Sequence, residues 1–149
     1  MFFKTYWILW QNARNLNYIK WHNDAIARRL ADSKLKTKDF LSKKWINVPA
    51  NLMILRKHEE LTLDIFKNLE PPFVVKPNNW FWWKWIIVFD EMDQLENYVS
   101  NTWKTYSKKT LLEHFSNILD GFYSISWLRD KVIIEKKVIL DHEIELLWK

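Results

Sequence analysis

Residues 73–89 decide the fold, and they read FVVKPNNWFWWKWIIVF. Two apolar runs rich in β-branched residues, Phe73–Lys76 and Ile86–Phe89, are typical of strands, and Pro77 ends the first of them. The loop between them carries four tryptophans within six residues and one lysine. We therefore predict two strands that flank a long loop, as in a hairpin.

Tryptophan and glycine are present in unusual amounts, with eleven tryptophans and a single glycine, Gly121, among 149 residues. A chain of this length normally holds about ten glycines. Trp45 also follows a helical pattern at the position where a left-handed residue without a Cβ is favoured. Our hypothesis is that most or all of the tryptophans are glycines in the natural protein, because UGA encodes glycine in its gene and is read here as tryptophan. The alternative is a genuinely tryptophan-rich chain.

The overall composition is that of an ordinary soluble domain, with 48% hydrophobic and 28% charged residues and no cysteine. No apolar run reaches the roughly 18 to 20 residues that span a bilayer, and the first residues do not resemble a signal peptide. We expect a cytoplasmic protein without a membrane partner. The net charge of +5 could attract polyanions, but the lysines are scattered, so charge alone decides little.

Hydrophobic periodicity predicts an α+β domain with a mostly antiparallel sheet and flanking helices. The predicted helices are Asn23–Leu30, about Lys36–Lys44, His58–Leu69, a short one at Asp93–Tyr98, and Leu111–Leu119. The predicted strands are Leu52–Leu55, Phe73–Lys76, Ile86–Phe89 and Val132–Val138.

The loop after Lys76 suggests phosphate binding if its tryptophans stand for glycines. A glycine-rich loop lets backbone N–H groups converge on phosphate oxygens, because no Cβ blocks the approach. Lys84 would lie inside the loop and Lys76 at the end of the strand before it. A strand follows the loop, unlike the helix that follows a P-loop or a dinucleotide fingerprint. We predict a flap over a triphosphate, and the alternative is a hairpin without a ligand.

The hairpin segment resembles the signature of the ATP-grasp superfamily, and within it most closely the alpha-L-glutamate ligase-like group. The resemblance implies a partial ATP-grasp domain over 1–149, with the later strands of the fold expected beyond Lys149. It would comprise a first segment at 1–70, a glycine-loop subdomain at 71–131 and an adenine hinge at 132–149. Further matches follow in the same order along the chain, at 12–15, 32–38, 45–49, 114–121 and 133–138.

The resemblance also implies roles for residues near ATP, although it assigns no catalytic residue and no metal ligand here. Lys34 and Lys76 would neutralise phosphates, although Ser33 stands where the family usually has an acidic residue before the first lysine. In the hinge, Glu135 would accept from the adenine amino group, while the backbone of Lys136 and Val138 reads the ring edge. Ribose would be held by Asp141 or Glu143, and the loop over the phosphates would be formed by Trp80, Trp82, Trp83, Lys84 and Trp85.

The implied reaction joins a carboxylate to an amine, with an acyl phosphate formed from ATP on the way. Mg²⁺ is the expected metal, with its ligands after Lys149, so we expect no ligase activity from the 149-residue chain. With tryptophan at four loop positions, indoles would fill the space that the phosphates need. This interpretation requires no nucleic-acid partner.

Two alternatives take the tryptophans at face value. A nucleic-acid-binding module would stack bases on the aromatic cluster and bind phosphates with its lysines. An interfacial or protein-interaction module would use the aromatic residues of the first ten positions as an anchor.

Overall fold

The computed structural model describes residues 20–79, 85–123 and 128–139. The strands are β1 (Asn51–Leu55), β2 (Phe73–Pro77), β3 (Ile87–Met92), β4 (Tyr98–Ser100), β5 (Thr105–Tyr106) and β6 (Val132–Lys136). The helices are α1 (Lys20–His22), α2 (Ala25–Ala31), α3 (Lys34–Ser42) and α4 (Lys108–Leu119), with short 3-10 helices at His58–Glu60 and Leu63–Asn68.

The strands form one six-stranded sheet in the order β1-β6-β2-β3-β4-β5, and every neighbouring pair is antiparallel. The predicted α+β class with an antiparallel sheet is therefore confirmed. β2 and β3 pair as predicted, with Phe73 opposite Phe89 and Val75 opposite Ile87. β6 inserts between β1 and β2, which brings the last predicted strand beside Lys76.

Successive residues of a strand point to opposite faces of the sheet, and one face carries the hydrophobic core. Phe73 and Val75 of β2 and Val132 and Ile134 of β6 are fully buried there. The face is covered by α4 and by the second 3-10 helix, which contribute core residues that include Phe115, Leu111 and Phe66. Residues on the opposite face of β2 and β6 are then free to line a site.

Two predicted helices are wrong. The segment 58–69 forms two 3-10 turns instead of one α-helix, and only Ile65 and Phe66 of the second turn are buried. Residues 93–97 form a turn and Tyr98 begins β4, because the Asp93 carboxylate accepts from the N–H groups of Leu95 and Asn97, both at 2.8 Å. Side-chain bonds of this kind compete with helix formation.

Helix α3 begins two residues earlier than predicted. The hydroxyl of Ser33 accepts from the N–H of Lys36 at 3.4 Å, so Ser33 is its N-cap and Lys34 its first residue. Lys34 is thereby placed on the first turn of a helix and not in the segment that precedes it.

Trp45 confirms the expectation of a left-handed residue after α3. The φ of Trp45 is 61°. The N–H of Ile46 donates to the carbonyl of Leu41 at 3.1 Å, and the N–H of Trp45 donates to the carbonyl of Ser42 at 3.0 Å. This pair of bonds is a Schellman motif, in which glycine is the usual left-handed residue. Trp103, in the turn between β4 and β5, also has a φ of 61°.

Among the described residues, none of the helices has the length and apolar character that crossing a membrane requires.

Candidate functional site

A buried carboxylate occupies the face of the sheet opposite the core. Glu135 lies opposite Val74 in the β2–β6 ladder, so Lys76, two residues further along β2, shares its face. Glu135 is only 4% exposed. Its Oε2 accepts from Lys38 Nζ at 2.7 Å, and its Oε1 accepts from Lys76 Nζ. A buried carboxylate is costly unless it is paired, and here each oxygen has its own lysine.

Lys38 joins this face from helix α3. Its ammonium also donates to the side-chain oxygen of Asn51, which lies opposite Glu135 in the β1–β6 ladder. Sequence reasoning missed Lys38, because the predicted helix began at about Lys36 and left Lys34 outside it. The available signal was Ser33 as a helix N-cap, since a helix that begins at Lys34 places Lys34 and Lys38, four residues apart, on the same side.

Asn78 ties the first turn of α3 to the end of the hairpin. Its side-chain oxygen accepts from the N–H of Leu35 at 2.9 Å, and its Nδ2 donates to the Ser33 hydroxyl at 3.1 Å. Its carbonyl accepts from the backbone N–H of Lys34 at 3.2 Å and from Lys34 Nζ at 3.3 Å. Asn78 is 3% exposed, so this connection is a buried one. It fixes Lys34 at the base of the loop that follows residue 79.

Asp130 closes the same corner from the segment before β6. Its carboxylate accepts from the N–H of Asn79 at 3.0 Å and from the N–H of Lys131 at 2.8 Å. Burial raises the pKa of Asp130, and these backbone bonds offset part of that effect. The pKa of Lys34 is lowered, first by burial and then by the charge of Lys76, while Asp130 and Glu135 act in the opposite sense.

These groups form what we call the lysine face: Lys34, Lys38, Lys76, Asp130 and Glu135. Three ammonium groups against two carboxylates leave one positive charge in excess at neutral pH. The pKa of Lys34 is lowered mainly by burial, and repulsion from the positive charge of Lys76 lowers it further. An anion bound here would relieve that repulsion, so the lysine face favours an anionic ligand.

The remaining predicted site residues are distributed as follows. The N–H of Lys136 donates to the carbonyl of Ala50 at 2.9 Å, so this N–H is already bonded within the structure. Val138 follows β6 and is 59% exposed. Trp85 is half-buried and stacks on Tyr123, with ring centroids 3.9 Å apart. Outside the described residues lie Trp80, Trp82, Trp83, Lys84, Asp141 and Glu143.

A magnesium site is not found among the residues that the structure describes. No three histidine or acidic side chains within 20–79, 85–123 and 128–139 are grouped so that they could hold a metal ion. Asp130 and Glu135 are each engaged by backbone N–H groups or lysines. We assign neither of them to a metal.

The domain is α+β with one antiparallel sheet, and lysines lie at the base of the hairpin loop. This arrangement is consistent with the nucleotide-binding part of an ATP-grasp protein. The family model described as sugar-transfer associated ATP-grasp matches residues 13–148, and the chain belongs to that family. Membership of the superfamily that the sequence predicted is thus confirmed, and it supports ATP binding and an ATP-dependent, ligase-type function. The alpha-L-glutamate ligase-like subgroup stays a prediction. Neither a curated protein nor a solved structure gives a significant match.

Proposed function

We propose that this chain is the ATP-binding part of a ligase that phosphorylates a carboxylate with ATP and passes the acyl phosphate to an amine. The observation that supports it best is the lysine face, which places Lys34 and Lys76 at the base of the hairpin loop with Glu135 buried beside them. The family match supports ATP and a ligase-type reaction in general, and it lends no support to the nucleic-acid alternative.

The proposed orientation of ATP follows the course of β6. Pro77, at the loop end of β2, pairs with Val132, whereas Glu135 lies three residues further along, about 10 Å away at the usual strand rise. We place the phosphates at the loop end, near Lys34 and Lys76. The adenine then lies toward Glu135, the carbonyl of Lys136 and the chain beyond it.

The chemical work of these residues is positioning and charge neutralisation. Phosphoryl transfer spreads negative charge over the transferring oxygens, and catalysis depends mainly on holding and neutralising them. Lys34 and Lys76 supply mobile point charges for this purpose, and Glu135 accepts a hydrogen bond from the adenine amino group. When bound, Mg²⁺ would neutralise further phosphate charge, and no described residue is assigned to it.

The proposal includes glycine at the loop positions of the natural protein. Trp45 and Trp103 support this, because both have left-handed backbones and their indoles are 96% and 84% exposed. Glycine suits such positions, and a tryptophan side chain at either of them stays in solvent. Mass spectrometry of the natural protein tests the point directly, since peptides with tryptophan at position 82 or 83 would disprove it.

Binding of ATP to a loop-restored chain tests the proposed function. The variant with glycine substituted at Trp80, Trp82, Trp83 and Trp85 is called the four-glycine chain. Calorimetry should show saturable binding of ATP to the four-glycine chain, tighter than that of GTP. Binding of ATP to the starting sequence, which keeps the four loop tryptophans, should be markedly weaker.

A second variant serves as the matched control. It carries Trp21→Gly, Trp45→Gly and Trp103→Gly, so it loses indoles only outside the loop. This control should bind ATP no better than the starting sequence. Absence of saturable ATP binding to a folded four-glycine chain would overturn the proposed function.

A further inference from the structure

Lys38 is the one lysine of the lysine face to which neither the sequence motifs nor the family resemblance gives a role. We infer that Lys38 is a positioning residue that fixes the Glu135 carboxylate for recognition of a 6-amino purine, and so determines the preference for adenine over guanine. The inference rests on the proposed function.

The contacts of Lys38 differ from those of a phosphate-binding lysine. Its ammonium donates to Glu135 Oε2 at 2.7 Å and to the side-chain oxygen of Asn51, and its side chain is only 12% exposed. Both acceptors belong to paired strands of the sheet, β6 and β1. Lys38 therefore connects helix α3 to two strands through directed bonds, and two of its three donors are already committed.

Lys76 is bound to the other oxygen of Glu135, and its proposed task lies elsewhere. If Lys76 turns toward a phosphate, Oε1 loses its partner and can accept a new hydrogen bond. The buried carboxylate of Glu135 still keeps one ionic partner in Lys38, which avoids the cost of an unpaired buried charge. The two lysines thus have separate roles. Lys38 stays bound to the Glu135 carboxylate, while Lys76 leaves that carboxylate and binds a phosphate of the ligand.

The consequence is a choice between purines. An ionised carboxylate accepts hydrogen bonds but donates none, so it suits the 6-amino group of adenine and opposes the 6-oxo group of guanine. The discrimination depends on the position of the carboxylate, since hydrogen bonds weaken steeply when they are misaligned. Without Lys38, the carboxylate would turn toward Lys76 and away from the base.

The test compares three probes, ATP, GTP and inorganic tripolyphosphate, on the four-glycine chain by calorimetry. Lys38→Met should lower the ratio of ATP to GTP affinity by about tenfold, the usual worth of a hydrogen bond to a charged group. The affinity for tripolyphosphate should change by less than about threefold. Lys38→Arg should retain most of the ratio. Lys36→Met, at an exposed position on the same helix, is the matched control and should leave all three affinities unchanged.

A second variant keeps the test decisive if Lys38→Met fails to fold. Asn51→Ala removes the exposed partner of Lys38 and should lower the ATP to GTP ratio by about threefold. An unchanged ratio in the folded variants overturns the inference, as does an equal loss for all three probes, which would make Lys38 a phosphate ligand. In both cases ATP still binds the four-glycine chain, and the proposed function stands. If neither ATP nor tripolyphosphate binds that chain, both proposals fail.

Discussion

Replacement of Trp45 and Trp103 by glycine should stabilise the protein, although each change deletes a large apolar side chain. Both residues have a φ of 61°, where a Cβ costs about 1–2 kcal/mol that glycine avoids. Their indoles are 96% and 84% exposed, so their removal forfeits almost no buried apolar area. Against this gain stands the greater unfolded-state freedom of glycine, about 0.5–1 kcal/mol. The net gain is about 0.5–1 kcal/mol at each position.

The two positions lie in separate turns, so the effects should add. The double variant should gain about 1–2 kcal/mol, which corresponds to a rise in Tm of about 3–8 °C for a domain of this size. Thermal unfolding followed by circular dichroism measures it. Trp21→Gly is the matched control, because this exposed tryptophan lies in helix α1, where glycine is unfavourable, and the change should leave Tm unchanged or lower it. A fall in Tm of the double variant would refute the reasoning.

Three further changes test the packing around the site and the core. Asn78→Ala should lower the free energy of unfolding by about 2–3 kcal/mol in urea titrations, because its buried side chain supports Ser33 and the N–H of Leu35; an effect below about 0.5 kcal/mol would contradict this. Gly121→Ala should lower the free energy of unfolding by about 3 kcal/mol or more in the same assay, since the φ of Gly121 is 73° and an added Cβ would lie 2.0 Å from the Leu128 carbonyl oxygen. A variant as stable as the starting protein would contradict this expectation. Burial lowers the pKa of His114 from 6.5 to about 4, so the unfolded chain binds a proton between these pH values that the folded chain does not. Stability should therefore fall by up to about 3 kcal/mol between pH 7 and pH 4, and His114→Phe should remove that part of the loss; an identical pH profile for the variant would count against it.

The sheet was predictable from the sequence because its central strands have strong local signals. β-branched runs ended by proline located β2, and a similar run located β6. β4 and β5 were missed, since two or three residues carry too little periodicity to identify a strand. The wrong helix at 93–98 had the same origin, because the bonds of Asp93 to the backbone outweigh a weak helical pattern.

The candidate site was predictable only in part. Lys34, Lys76 and Glu135 came from the family resemblance, and the structure brings all three to one face of the sheet. The supporting network was not predictable, because the contacts of Asn78 with Leu35, of Lys38 with Glu135 and of Asp130 with Asn79 join residues 43, 97 and 51 positions apart. Such contacts depend on strand order, and a single sequence does not reveal that β6 inserts between β1 and β2.

The central claim is that Lys34 and Lys76 hold the phosphates of ATP. The measurement that tests it most directly is a calorimetric titration of ATP into the four-glycine chain and into the same chain with Lys34→Met and Lys76→Met. We predict saturable binding at one ATP per chain, weakened about a hundredfold or more by the two changes, since each removes a charged hydrogen-bond donor worth about tenfold. Binding of equal strength to both proteins, or none to the four-glycine chain, would contradict the claim.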